Sequence, residues 1–427
     1  MKKLILIVIT LGIIKSTANA QNGELQYKEI DSTLLYKNGE GILLNLGKGG
    51  ASKINFFTTI QSGFKYATID SGTAISTNNR MSLNLARLYL NMSVLKNKVL
   101  MGLVTDFTST TPILEGWVGF KVFNKKTTIY LGQRQTHTNN RLAMDDERYA
   151  AFMAQSSAGK SADGSIYGGL MQNFVGTTRE GGLYVESNFS LNKLKVYPSV
   201  SITTGEGQNF FDPTPNVGLK YGGRLDVLPL GDFIKNNAFI AHDIYREPTP
   251  KIALGIAGSI NKMANSTNGS GDVKIAPIYN NTGALAFADY TKLVADAMFK
   301  YKGFSITGEY VNSIVTGQDL FTNATATKKL MTDTSSAYYN IGTAIHIHTA
   351  YVCTNGLAID VRYTTVKPEF SAATSLIQRQ SWYGLGINKY INYNAIKVGA
   401  SVNYINDKLI LLPNKKLIVN VAVQIIM

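Results

Sequence analysis

The chain of 427 residues is poor in the side chains that brace or break many folds. It has one cysteine, 10 prolines, two tryptophans and four histidines. A lone cysteine excludes a disulfide within the chain, and so few prolines argue against a proline-rich or disordered polypeptide. The fold must therefore be held by backbone pairing and side-chain packing.

Long hydrophobic runs are also missing after the N-terminus, so nothing downstream predicts a transmembrane helix. The first 20 residues are the exception. Two lysines precede an apolar run of 11 residues, 4–14, and an A-N-A cleavage site follows at 18–20. Since a membrane-spanning helix needs about 20 apolar residues, this pattern predicts a cleaved secretory signal peptide over 1–20.

Positive charge is in surplus. Without the three lysines of the signal peptide, the chain has 39 basic residues and 28 acidic residues. Such a surplus suits anionic lipid, anionic solutes or nucleic acid. An exported chain without a basic helix is not expected to meet nucleic acid, so lipid and small anions remain.

Alternating apolar and polar residues recur from about residue 51 to the C-terminus. In "ARLYLNMSVLKNKVLMGLVTDF" (86–107) one row is apolar, whereas the other contains Arg87 and, on the second stretch, Asp106. This is strand periodicity. Including both stretches, we count about 16 strands, the others at 53–66, 116–123, 127–134, 181–189, 193–203, 217–227, 251–261, 293–301, 304–311, 337–352, 357–366, 381–391, 395–405 and 416–427.

The connections alternate between short polar links and longer stretches rich in Gly, Asn, Ser and Thr. Short turns on one side and long loops on the other are typical of a transmembrane β-barrel. The segment 228–250 breaks this rule because it is long but falls on the short-turn side. If its strand-like piece supplied two further crossings, the barrel would have 18 strands.

Strand length supports the same fold. Strands of about 10 residues, rising about 3.3 Å each and tilted by about 45°, cover about 25 Å of membrane. A soluble sandwich or propeller, the alternative, needs only about 5 to 6 residues per strand. We therefore predict an all-β fold, a transmembrane antiparallel barrel of about 16 strands over 51–427, after an N-terminal periplasmic segment at 21–50.

The polar row of each strand is expected to face the lumen, because a charge at the lipid-facing midplane costs about 2 to 4 kcal/mol. By this assignment, the wall carries nine basic and eight acidic residues, so its net charge is close to zero. The longest link of the first half, 137–178, also has a net charge close to zero. The candidate lumen and constriction residues are Arg87, Arg134, Arg141, Arg148, Lys160, Lys195, Lys220, Arg224, Arg362 and Lys397.

The chain resembles the phosphate-selective porin O and P family, in the form common among Bacteroidetes. The resemblance implies a trimeric pore of 16 strands whose third external loop, here 137–178, folds into the lumen as a constriction. The family's phosphate-selecting residues cannot be matched one by one. The stretches that carry the resemblance are residues 86–107, "TTIYLGQRQT" (127–136), "GGRLDVLPLGDF" (222–233), "PTPKIALGIAGSIN" (248–261), "DAMFKYKGFSITGEYVN" (296–312) and "AIDVRYTTVKPE" (358–369).

These observations predict an outer-membrane porin of a Gram-negative bacterium, a homotrimer in contact with outer-membrane lipid. It would pass small hydrophilic solutes, either generally or with a weak preference for anions such as phosphate. The alternative is a barrel that acts as an adhesin or assembly partner through its loops. A membrane hydrolase is disfavoured because no histidine lies beside a serine on a lipid face, so no enzyme activity and no cofactor are predicted. His346 and His348 share a face but lack a third ligand, so no metal site is predicted.

Overall fold

A computed structural model gives the architecture of most of the chain. No helix in the part it describes is long and apolar enough to cross a membrane. The described residues are 32–37, 39–47, 51–109, 112–144, 179–209, 218–264, 278–317, 319–331, 333–408 and 414–427.

The described residues form one closed antiparallel barrel of 16 strands, which confirms the predicted fold. Each strand pairs with the next along the chain, and the last strand, β19 (Asn414–Ile426), pairs with the first barrel strand, β3 (Ser52–Asp70), to close the ring. Two short strands, β8 (Arg179–Ser187) and β9 (Phe189–Leu191), both pair with β10 (Leu194–Thr203) and are two parts of one crossing. The strands of the first half are β3 (Ser52–Asp70), β4 (Ile75–Val94), β5 (Val99–Asp106), β6 (Ile113–Val122), β7 (Thr127–Gln135), β8 (Arg179–Ser187), β9 (Phe189–Leu191) and β10 (Leu194–Thr203).

The second half has longer and more regular strands. Its hairpins include a two-residue turn at Lys302 and Gly303, both at positive φ, the backbone that suits the right-handed twist of the flanking strands. These strands are β11 (Lys220–Leu228), β12 (Lys251–Asn261), β13 (Asp289–Tyr301), β14 (Phe304–Thr316), β15 (Gly342–Val352), β16 (Leu357–Pro368), β17 (Arg379–Ile391), β18 (Ile396–Lys408) and β19 (Asn414–Ile426).

The two faces of the barrel differ as the alternation predicts. Along β12 to β19 the outward row is apolar and exposed, as at Ile256, Ile347 and Val421. The inward row holds buried ionised side chains such as Asp296 and Arg362. Closure of the barrel gives the backbone N–H and C=O groups of every crossing hydrogen-bond partners on neighbouring strands. The hydrocarbon layer cannot supply such partners.

Two connections differ from the sequence-based expectation. The 18-strand alternative is wrong: between β11 and β12 the chain forms a 3-10 helix, Ile234–Phe239, and no strand. The stretch 67–85, expected as a long loop, instead extends β3 and β4 into a ribbon closed by a turn at 71–74.

The N-terminal segment contributes a hairpin of its own. β1 (Ser32–Lys37) pairs with β2 (Gly41–Leu46), and β2 pairs with the beginning of β3. Since β3 begins beside the short turn that follows β4, the hairpin lies at the end of the barrel that carries the short turns. Within the part of the chain that the structure describes, two further 3-10 helices lie in connections, Arg141–Met144 after β7 and Asp333–Ala337 before β15.

Candidate functional site

The inner wall carries its charges as close opposite pairs. Arg87 on β4 is directly opposite Asp106 on β5 in the strand register, and Arg87 Nε donates to Asp106 Oδ2 over 2.8 Å. Thr108 donates its backbone N–H and its hydroxyl to the other oxygen of the same carboxylate. Alternation places both charges inward, and adjacent strands then bring them together.

Other predicted lumen cations are compensated in the same way. Arg134 pairs with Glu186 of the neighbouring strand and lies over the Tyr130 ring, with its guanidinium carbon 3.9 Å from the ring centroid. Lys220 Nζ lies 2.9 Å from Glu180 Oε1. Close opposite pairs give little net field along a pore, so this wall is a mixed-charge surface.

Three predicted lumen residues have other surroundings. Lys195 lies at the short-turn end, where it is partly exposed and Nζ is 3.5 Å from Asp232. Arg362 is buried, donates to Asn403 Oδ1 over 3.1 Å and has its guanidinium carbon 4.4 Å from the Trp382 ring centroid. Lys397 is fully buried on β18.

The main feature of the interior is an ion-pair cluster built on Arg141, which follows β7. Its guanidinium bonds to Asp226 on β11 and, over 2.8 Å, to Asp296 on β13. Arg224 bonds to the same two carboxylates over 2.7 to 2.8 Å. We call these four residues the Arg141 cluster. Two arginines against two carboxylates make it neutral.

The neighbours of Arg141 dock on the same wall. Asn140 donates to Glu309 Oε2 over 2.9 Å, and the Leu142 backbone N–H donates to Glu309 Oε1 over 2.6 Å. Lys292 donates to Asn139 Oδ1 over 2.6 Å. The first part of the loop expected at 137–178 therefore lies inside the barrel, against β11, β13 and β14.

A second segment, 229–250, enters from the short-turn end. Lys300 on β13 is fully buried and donates to three backbone carbonyls and one amide oxygen of this segment, those of Asn237, Ile240 and His242. Asp243 accepts from the Gly303 backbone N–H over 2.7 Å. The segment is thus fastened to the wall where the regular barrel would be open.

The two inward segments meet each other. Arg141 Nη1 donates to the Ala238 carbonyl over 3.0 Å, and its guanidinium carbon lies 5.1 Å from the centroid of the Phe239 ring. Leu142 packs in one apolar cluster with Phe233 and Ala238. The two segments enter from opposite ends of the barrel, so they narrow the lumen at the same height along the barrel axis.

Histidines occupy the junction between segment 229–250 and the wall. His242 bonds through Nδ1 to the Tyr390 hydroxyl over 2.7 Å and stacks on His348. Burial lowers the pKa of His242, although Asp360 opposes that effect. His348 in turn lies 3.1 Å from Asp360. No role for His242 is predicted from the sequence.

Gly255 on β12 makes room for the Arg141 cluster. It pairs with Asp226 on one side and Asp296 on the other, and a Cβ at this position would overlap Arg224 and Asp296. We expect Gly255→Ala to displace Arg224 and to lower the free energy of unfolding by about 2 to 3 kcal/mol, the size of a lost charged hydrogen bond.

Denaturant titration of the detergent-solubilised barrel measures this loss. The matched control is Gly258→Ala on the same strand, where a Cβ has no atom closer than 3.6 Å. Equal stability of the two variants would contradict the assigned role of Gly255.

The structure brings two of the predicted site residues into one cluster, Arg141 and Arg224. Arg148 and Lys160 lie outside the described residues. The assignment of all ten to the lumen or constriction as a functional site stays a prediction. Sequence reasoning missed the contributions of Asn139, Asn140 and His242, because each acts through partners more than 100 residues away.

Comparison with known proteins relates the fold to outer-membrane barrels. No protein-family model matches the chain, and no curated protein matches it in sequence. The outer-membrane channel DcaP of Acinetobacter baumannii is similar in structure, with a TM-score of 0.52, 10% identity and coverage of 90% of this chain and 99% of DcaP. In-vitro folded OmpT, an outer-membrane protein of Vibrio cholerae, gives a TM-score of 0.51 at 10% identity, covering 88% and 98%.

These similarities concern the fold. They agree with the expected location in the outer membrane of a Gram-negative bacterium, whereas the finer resemblance to the O and P family is not confirmed. The prediction that the chain is not an enzyme is corrected, because a fold shared at 10% identity with outer-membrane proteins such as OmpT does not exclude an enzymatic reaction. The shared fold does not positively indicate a reaction either.

Proposed function

We propose that this protein is an outer-membrane channel through which small hydrophilic solutes diffuse passively. The observation that supports this function most is the interior of the barrel. Ionised side chains line it, and two chain segments enter from opposite ends and meet at Arg141 and Ala238. An inward-facing polar surface narrowed at one level suits a size-limited aqueous path.

Selectivity is proposed to be weak. Arg87, Lys220 and the Arg141 cluster each have acidic partners within hydrogen-bonding distance, so the fixed charge that a passing ion meets nearly cancels. The basic surplus lies instead in loops and turns, where it attracts anions to the mouths. Phosphate would pass as one small anion among others.

Assembly as a homotrimer belongs to the same proposal, because the family resemblance implies it. Chemical crosslinking of the purified barrel in mild detergent should give a ladder that ends at three chains. A single-chain band at every crosslinker concentration would contradict it.

Liposome swelling tests passage directly. Vesicles containing the folded protein should swell in isotonic arabinose, more slowly in a disaccharide, and hardly in a tetrasaccharide, since the narrowed lumen excludes larger solutes. Vesicles containing heat-unfolded protein are the control. If folded barrels produced no swelling in arabinose, the channel proposal would fail and a role carried by the loops would gain support.

A further inference from the structure

Three potential metal ligands converge where segment 229–250 meets the wall. His242 Nε2 lies 3.4 Å from Asp360 Oδ2, and His348 Nε2 lies 3.1 Å from the same oxygen. The three ligand atoms lie within 4.8 Å of one another. All three side chains are buried, at 0% to 1% exposed.

These distances suit a small divalent cation. Zinc binds imidazole nitrogen and carboxylate oxygen at about 2.0 to 2.2 Å, so ligand atoms around one tetrahedral ion lie about 3.3 Å apart. The two nitrogen to oxygen distances are close to that value. Two histidines and one carboxylate are a ligand set that zinc uses, with the fourth position left for water.

The surroundings orient the ligands for this role. Tyr390 holds His242 by Nδ1 over 2.7 Å, which leaves Nε2 as the coordinating atom. Asn388 donates to Asp360 Oδ1 over 3.0 Å, which leaves Oδ2 for the ion. Partners of this kind fix the ring and carboxylate of metal ligands in proteins.

One buried atom points to an occupant. His242 Nε2 has no hydrogen-bond partner among the described residues, and its 3.4 Å contact with Asp360 is long for a hydrogen bond. A buried polar nitrogen left without a partner costs about 1 to 3 kcal/mol. A cation bound between the three side chains would satisfy it.

We propose that His242, His348 and Asp360 form a zinc site that fastens segment 229–250 to strands β15 and β16. The site joins His242 to Asp360, 118 positions later in the chain. The ion would therefore hold the inward segment against the barrel wall. Arg362 and Lys397 are close enough to disfavour additional positive charge. The site should therefore be weaker than one built among several carboxylates.

Titration of the purified, chelator-treated barrel with zinc tests the proposal. Isothermal calorimetry should give one zinc per chain, and cobalt in its place should give the visible absorption of a tetrahedral centre. Both signals should be lost in His348→Gln. The matched control is His346→Gln, a buried histidine two residues away on the same strand that bonds to Thr364, and it should bind as the unchanged protein does.

A second variant separates coordination from a general defect. Tyr390→Phe keeps the ring but removes the hydroxyl that holds His242, so zinc affinity should fall by about 10-fold or more while cobalt still gives a tetrahedral spectrum. Unchanged heat-modifiable migration on gels would show that the variants are folded. Absence of zinc and cobalt binding in the folded, unchanged protein would overturn the proposal, whatever the outcome of the swelling assay.

Discussion

Replacing Arg141 with alanine is expected to raise the single-channel conductance and to shift ion preference toward cations. The guanidinium joins Asp226 on β11, Asp296 on β13 and the Ala238 carbonyl of the opposite inward segment. Without it, residues after β7 lose their main attachment to the far wall, and the neutral cluster is left with a net charge of −1.

The same substitution should also destabilise the barrel. Removing one partner of a buried ion pair typically costs about 3 to 5 kcal/mol, which denaturant titration would measure. Lys195→Ala is the matched control because it removes one positive charge from a partly exposed pair at the barrel end. An Arg141→Ala channel with the conductance and reversal potential of the Lys195→Ala channel would refute a role for Arg141 in the narrowing.

Replacing Lys300 with methionine is expected to loosen segment 229–250 at the short-turn end. The ammonium donates to oxygens of Asn237, Ile240 and His242, and methionine keeps most of the side-chain volume while donating nothing. The lost hydrogen bonds are charged ones, each about 1.5 to 3 kcal/mol, but methionine also removes the cost of burying the ammonium. The free energy of unfolding should therefore fall by about 3 kcal/mol, less than the sum of the lost bonds.

Hydrogen exchange measured by mass spectrometry follows this loosening. Amides of residues 234–243 should exchange faster in Lys300→Met, and channel recordings should show more frequent conductance fluctuations. Lys251→Met is the matched control, since Lys251 also donates to this segment, at Leu230, but from an exposed position. Unchanged exchange in Lys300→Met would mean that other contacts hold the segment.

Sequence periodicity predicted the barrel well because the membrane imposes it. Each crossing must show lipid an apolar row, so strands such as β15 and β19 are recognisable residue by residue. The pairing of Arg87 with Asp106 was predictable too, since both charges lie on inward rows of adjacent strands. Over 67–85 the apolar row ends although backbone pairing continues, so this part of β3 and β4 was missed.

The interior could not be predicted in the same way. Arg141 and Asp296 are 155 positions apart, and no local pattern records that they meet. Segment 229–250 contains apolar residues that pack against the inner wall, such as Phe233, which made part of it resemble a further strand. Contacts that fill a lumen depend on the closed barrel, so they emerge only from the three-dimensional structure.

The proposed function is an aqueous channel whose wall charges largely cancel. Planar-bilayer recording of the unchanged protein in a potassium chloride gradient tests it most directly. We expect discrete conductance steps with a reversal potential near zero, displaced slightly in the direction of anion preference. Folded protein that gave no steps, or steps with a reversal potential near the limit for a single ion, would contradict it.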